Sequence, residues 1–223
     1  MNSIRTVASW FRQLCLLFVV CFALLGSFAL AQANSDPKIT IDEAPLGADQ
    51  LAIYRVILHG WMDNGKSPVH LALQTVPIEN ETSDKDARCD KHLVMEKIAP
   101  GRVHQFRAEN LASLGSDKIK LVDPEKQEHE VEENDPGKKI GDGQSIDDAV
   151  SNGFTHGLVS LGEIHFDRSH THAIVWFGFH CGSLCGNGGT VVMRKGKNGW
   201  IIASRCSIWM SSDSHHGERE LGL

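Results

Sequence analysis

The chain has 223 residues and a formal net charge of −6, from 22 Lys and Arg against 28 Asp and Glu. No cluster of Lys and Arg occurs, which speaks against nucleic acid or an anionic membrane surface as a partner, since both depend on neutralising phosphates. Six cysteines and twelve histidines carry most of the unusual chemistry.

In chain order, residues 1–33 read as a secretory signal peptide. Arg5 and Arg12 form a positive start, Leu14 to Leu25 is apolar, and Ala29-Leu30-Ala31 and Ala31-Gln32-Ala33 are both small-x-small cleavage sites. The apolar run is shorter than the about 20 residues of a stable span, so no integral membrane span is expected after cleavage; a retained anchor is the alternative. The expected location is periplasmic or extracellular. The mature chain of about 190 residues, with a charge of about −8, is of ordinary size for one domain. It keeps Cys89, Cys181, Cys185 and Cys206. An even count in an oxidising compartment favours disulfides, with the pairing open.

Residues 34–47 are expected to be flexible. A helix is expected over 48–62, with Leu51, Tyr54, Ile57 or Leu58 and Trp61 at helical spacing. Val69, Leu71 and Leu73 alternate as a strand. Residues 79–91 read as a loop, 104–114 as a second helix with Phe106, Leu111 and Leu114 on one side, and 119–121 as a short strand. The charged run 123–143 reads as an acidic surface loop. Ser145, with Asp148 three residues on, starts a short helix ending near Gly153. Four β-rich runs follow, at 157–166, 172–180, 190–195 and 200–210. Their short connections argue for an antiparallel meander of four to five strands, packed with two or three helices in an α+β fold. The domain covers 48–211, and 212–223 is expected to be a flexible tail.

The residues Cys181-Gly182-Ser183-Leu184-Cys185-Gly186-Asn187-Gly188, with Phe166-Asp167, Ala173-Ile174-Val175, Lys195, Gly199-Trp200 and Trp209-Met210-Ser211, resemble a family of uncharacterised exported bacterial proteins. The resemblance covers about 158–211, with Ile53-Tyr54 a weaker match. It implies a fold and an exported location but no catalytic residues, because the family has no established activity. The first helix and the final Lys…Gly-Trp hairpin are also similar to an NTF2-like cone. That likeness implies a cavity lined by Tyr54 and Trp61.

Two places could carry chemistry. Around the turn Asp167–Thr171, His165 and His172 could face each other and, with Asp167, form a two-His-one-carboxylate set; an exposed hairpin tip that also bears His170 is the plainer reading. At about 3.3 Å per residue, His172 and His180 lie about 26 Å apart and cannot share an ion. The second place is the glycine-rich turn. If Lys195 pairs with Trp200, Gly189 faces Cys206, which would bring Cys206 to Cys181, Cys185 and His180. Three readings remain open there: a disulfide among Cys181, Cys185, Cys206 and Cys89; zinc held by His180, Cys181, Cys185 and Cys206; or a reactive thiol with His180 as base. The glycines permit positive φ in a tight turn, and no helix follows to make a phosphate cradle. Trp176 and Ile174 share one strand face, which could be a binding surface or a dimer interface. The expected function is an exported binding or structural module with a disulfide-stapled hairpin and no cofactor, taking a small ligand or a protein partner. A thiol- or metal-dependent enzyme is the alternative.

Overall fold

In the computed structural model, residues 38–64, 68–78, 92–115 and 117–211 are described. The signal peptide, Cys89, the 79–91 loop and the 212–223 tail expected above lie outside them. Contacts divide the chain after Lys38, and the fold below belongs to the unit that begins at Ile39.

Helix α1 (Ala48–Asn64) starts where the Gly47 N–H donates to the Gln50 side chain at 2.7 Å, with Asp49 in its first turn. Its buried face is Ile53, Tyr54, Ile57, Leu58 and Met62, spaced for one side of a helix. Each such side chain contributes about 1.5–3 kcal/mol by leaving water. Tyr54 has no accessible surface, meets Phe106 edge-on, and donates its hydroxyl to the Gly162 carbonyl at 3.0 Å. It is a core residue.

The fold is α+β. A seven-stranded, mostly antiparallel sheet runs β4 (Ile119–Val122), β2 (Val69–Ala72), β5 (Leu158–Leu161), β7 (His172–His180), β8 (Gly186–Gly196), β9 (Gly199–Met210), with β6 (His165–Phe166) also on β7. The meander covers β5, β7, β8 and β9. Beyond it, β2 pairs in parallel with both β4 and β5, so the sheet is mixed. A separate parallel pair joins β1 (Thr40–Asp42) to β3 (Arg102–His104).

Two expectations need correction. Residues 104–114 are not one helix: Phe106 N–H donates to Leu73 O and Gln105 bridges Gln74. Pairing with the chain after β2 holds this stretch extended, and only α2 (Asn110–Leu114) is helical before Gly115 closes it in the left-handed conformation. The acidic run is not a loop either. It folds as α3 (Pro124–Glu133) and α4 (Pro136–Gly141). Each begins with an Asp-Pro pair, in which the aspartate caps the first turn and proline occupies the position that needs no N–H. Val131 and Gln127 are the buried residues of α3. Helix α5 (Ile146–His156) starts at Ser145, whose Oγ accepts from Asp148 N–H, as expected.

Strand parity sets the layers. Leu71, Val159, Val175, Phe179, Val191 and Met193 join the α1 face in the main core, while Ala72, Val122 and Leu158 form a smaller cluster of opposite parity. On that second face, Gln127 of α3 contacts His70 Nδ1 at 3.3 Å and donates to His156 O at 2.6 Å. Among the described residues, no helix is long and apolar enough to cross a membrane.

Candidate functional site

The second part of the glycine-rich segment is strand. β7 ends at His180 and β8 begins at Gly186, which leaves only Cys181–Cys185 as the turn. Cys181 and Cys185 form a disulfide with a sulfur–sulfur distance of 2.12 Å, and both residues are buried. The stapled turn is clamped onto the helical layer. One Asp135 oxygen accepts from Ser183 N–H at 2.5 Å, and the other accepts from Ser183 Oγ and from Lys138 N–H, both at 2.9 Å. Burial works to raise the Asp135 pKa, but these donors outweigh it and hold the carboxyl below its ordinary range. One side chain therefore caps α4 and anchors the turn.

Glycine is required at Gly182 by its φ of +109° and by the approach of Pro136, 2.7 Å from where a Cβ would stand. Gly186 and Gly188 have another reason, unlike the turn role expected for them. They lie in β8 against the backbone of β7: a Cβ would stand 2.9 Å from Phe179 O at Gly186 and 2.7 Å from both Phe177 O and the Trp209 ring at Gly188. Gly178 lies beneath Trp176. Gly178 pairs with Gly188, and Gly188 with Trp209, so both tryptophans flank a glycine floor on the face opposite α1.

The four residues considered for zinc do not converge. Bonded to each other, the Cys181 and Cys185 sulfurs offer no thiolate. Parity puts exposed His180 on the tryptophan face, away from buried Cys181. Cys206 is displaced by register. Lys195 does pair with Trp200, but irregularities between Val192 and Met193 and between Gly189 and Val191 add residues to β9, so Gly189 faces Ile208 instead of Cys206. Cys206 is itself disulfide-bonded, not to Cys181 or Cys185. Among the described residues, no three His, Cys, Asp or Glu side chains are grouped to hold a metal ion.

At the other end of β7, His165 pairs with Ile174, so it does not face His172 as expected. Its Nε2 meets the Glu96 carbonyl at 2.5 Å, while His170 Nε2 meets the Glu96 carboxylate at 2.9 Å and its ring stacks on Phe166. Asp167 organises the turn: Oδ1 accepts from Thr171 and His172 N–H, both at 2.8 Å, and Oδ2 from Ser169 Oγ. Burial pushes its pKa up. The Ser169 hydroxyl, the two N–H donors and the His172 ring pull harder, to about 2. The folded value lies below the ordinary 3.8, so this stabilisation is complete above the ordinary value and is lost as pH falls through the folded one. Between about pH 6 and about pH 2, the wild type should lose on the order of 1–2 kcal/mol more than Asp167→Asn in urea denaturation. Equal losses would remove Asp167 as a source of acid lability.

A third group was not anticipated. Glu163 follows β5 at the break before β6, and its side chain is wholly buried. Its carboxylate accepts from Thr75 Oγ1, from His104 N–H at 2.7 Å, and from His104 Nδ1 at 2.8 and 2.9 Å. The other imidazole nitrogen, Nε2, points to Asp42 Oδ2 at 3.6 Å. Arg102 Nη1 reaches the same oxygen at 3.7 Å. The nearby Tyr54 phenol is raised well above its ordinary pKa by burial and by the Glu163 charge, so it stays neutral. One signal in the sequence was a charged residue inside the apolar run 158–164; His104 and Thr75 carried none, because only the fold brings them to it.

No family model, curated protein or solved structure matches the chain.

Proposed function

We propose that the protein is exported and acts as a binding or structural module, with the disulfide-stapled hairpin as a rigid platform. The observation that carries this reading is the burial and mutual bonding of Cys181 and Cys185, together with the Asp135 clamp on Ser183. A thiol needed for nucleophilic or redox chemistry must be ionisable and reachable; these sulfurs are neither, and their bond fits an oxidising compartment. Trp176 and Trp209 support the binding role. They remain partly exposed on one sheet face, fixed in place by the glycines beneath them, and such aromatic surface is well suited to contact a ligand or a protein.

The test is cell fractionation combined with intact mass and thiol alkylation. The expected result is a chain recovered outside the cytoplasm, beginning at Gln32 or Asn34, whose Cys181 and Cys185 resist alkylation until reduced. A chain retained in the cytoplasm with alkylatable Cys181 and Cys185 would overturn the reading, and bound zinc in such a sample would favour the metal-dependent alternative.

A further inference from the structure

We propose that the sheet face carrying Trp176 and Trp209 is a platform for an uncharged, β-1,4-linked sugar chain. This rests on the binding reading above and names the ligand class for it. Trp176 and Trp209 are 37% and 43% exposed, and they stand on β7 and β9 with β8 between them. Gly178 on β7 pairs with Gly188 on β8, and Gly188 pairs with Trp209.

The glycines decide how the indoles lie. A Cβ at Gly178 would stand 2.6 Å from Cη2 of Trp176, so that ring reaches along its own strand and covers the glycine. The Trp209 ring covers two glycines: its Cζ2 is 2.7 Å from where a Gly188 Cβ would stand, and its Cζ3 is 3.6 Å from the same point at Gly186. Both indoles are thus laid down on the strands, and the exposed side of each is the side turned away from them. They converge on one glycine pair whose Cα atoms are about 5 Å apart, so a single extended ligand meets both.

Charge and area select the occupant. Of the Asp, Glu, Lys and Arg side chains on β5, β7, β8 and β9, only Arg194 has the parity of this face, through its pairing with His172 and Ile201. It stands six residues along β8 from Gly188, about 20 Å. Lys195 and Arg205 pair with Trp200 and Val191, on the opposite face. A cationic ligand gains from a carboxylate beside the rings, and a phosphate gains from Lys or Arg. These strands put neither there, which favours an uncharged ligand. The area is small as well. At these exposures two indoles present on the order of 200 Å², against about 800 Å² per partner for a stable protein interface.

A pyranose chain fits both properties. One face of the ring is a set of C–H groups, attracted to the negative face of an indole. Its rim is hydroxyl, and the platform has polar neighbours to pair with it: half-buried Ser160 beside Gly178, and exposed His180 beside Gly186. A β-1,4 linkage keeps successive rings in a flat ribbon, matched to two indoles on one sheet; an α-1,4 linkage coils the chain away from the second. The glycine floor fixes the indoles before a ligand arrives, so little rotamer freedom is lost on binding.

Calorimetric titration of the full chain, disulfides intact, tests this with cellohexaose and chitohexaose, and with maltohexaose as the α-linked control. At least one β-linked probe should bind, and maltohexaose should bind at least about tenfold more weakly. Trp176→Ala and Trp209→Ala should each weaken that probe about tenfold, while the β7–β8 amides keep their exchange protection. Trp209→Phe keeps an aromatic face over Gly188 and should weaken it less; it carries the comparison if alanine disturbs the sheet. Failure of both β-linked probes to bind, binding unchanged in the tryptophan variants, or equal binding of maltohexaose would overturn the platform. So would a concentration-dependent dimer, lost in Trp209→Ala, with no probe bound, which would make the face a contact between copies. None of these results bears on export or on the protection of Cys181 and Cys185, by which the wider reading stands or falls.

Discussion

Glu163→Ala should lower the free energy of unfolding by about 2–5 kcal/mol, the range for truncating a large buried side chain to alanine. The size follows from what is left behind. Glu163 is 2% exposed, and its carboxylate is the shared acceptor for the Thr75 hydroxyl, the His104 N–H and His104 Nδ1. Truncation leaves the His104 N–H its second acceptor, Thr75 Oγ1, and the Thr75 hydroxyl its second acceptor, His104 O, but strands His104 Nδ1 away from water, and an orphaned buried donor costs about 1–3 kcal/mol. A small cavity adds to the loss. Glu163→Gln keeps one accepting oxygen and should cost less, about 1–3 kcal/mol, because its amide puts a donor where the second carboxylate oxygen accepted. Urea denaturation of the two variants beside the wild type decides the matter. A Glu163→Ala loss below about 1 kcal/mol, or equal losses in the two variants, would show that the network is not a main support of the fold.

The second large effect is expected at the stapled turn. Replacing both cysteines, as Cys181→Ala with Cys185→Ala, should cost about 2–4 kcal/mol. The closed loop is short, with a sequence separation of 4, so the loss of chain-entropy constraint lies at the low end of that range. Packing adds to it, because Cys181 and Cys185 both belong to the main core cluster. The Asp135 contacts to Ser183 do not involve sulfur, so the turn should stay docked in the double variant while its exchange protection falls. Non-reducing denaturation measures the first effect and amide exchange at Ser183 the second. A double variant as stable as the wild type would remove the staple from any account of why the hairpin is rigid, and would weaken the platform reading with it.

Legibility in the sequence tracked the distance over which each feature is decided. Ser145 as a cap, the alternation along His172–His180 and the Lys195–Trp200 pairing are local, and each is found as read. The Asp-Pro pairs at 123–124 and 135–136 were equally local cap signals. High charge around them masked two helices that bury only a few residues each. The placement of Cys206 failed for a different reason. Counting outward from a correct turn assumes an unbroken ladder, and two irregularities in β8–β9 moved the partner of Gly189 by two residues.

What the sequence determined by itself was the α+β class, the antiparallel run of late strands and the presence of a cysteine-bearing turn between two of them. These depend on periodicity, turn residues and caps, whose physics acts within a few residues. The tertiary structure alone decided that β2 lies between β4 and β5 in parallel, that Asp135 holds Ser183 across 48 residues, and that Glu163 meets Thr75 and His104 across 88 and 59. A buried carboxylate must be matched by donors wherever the chain can bring them, and spacing along the chain does not record which donors those are.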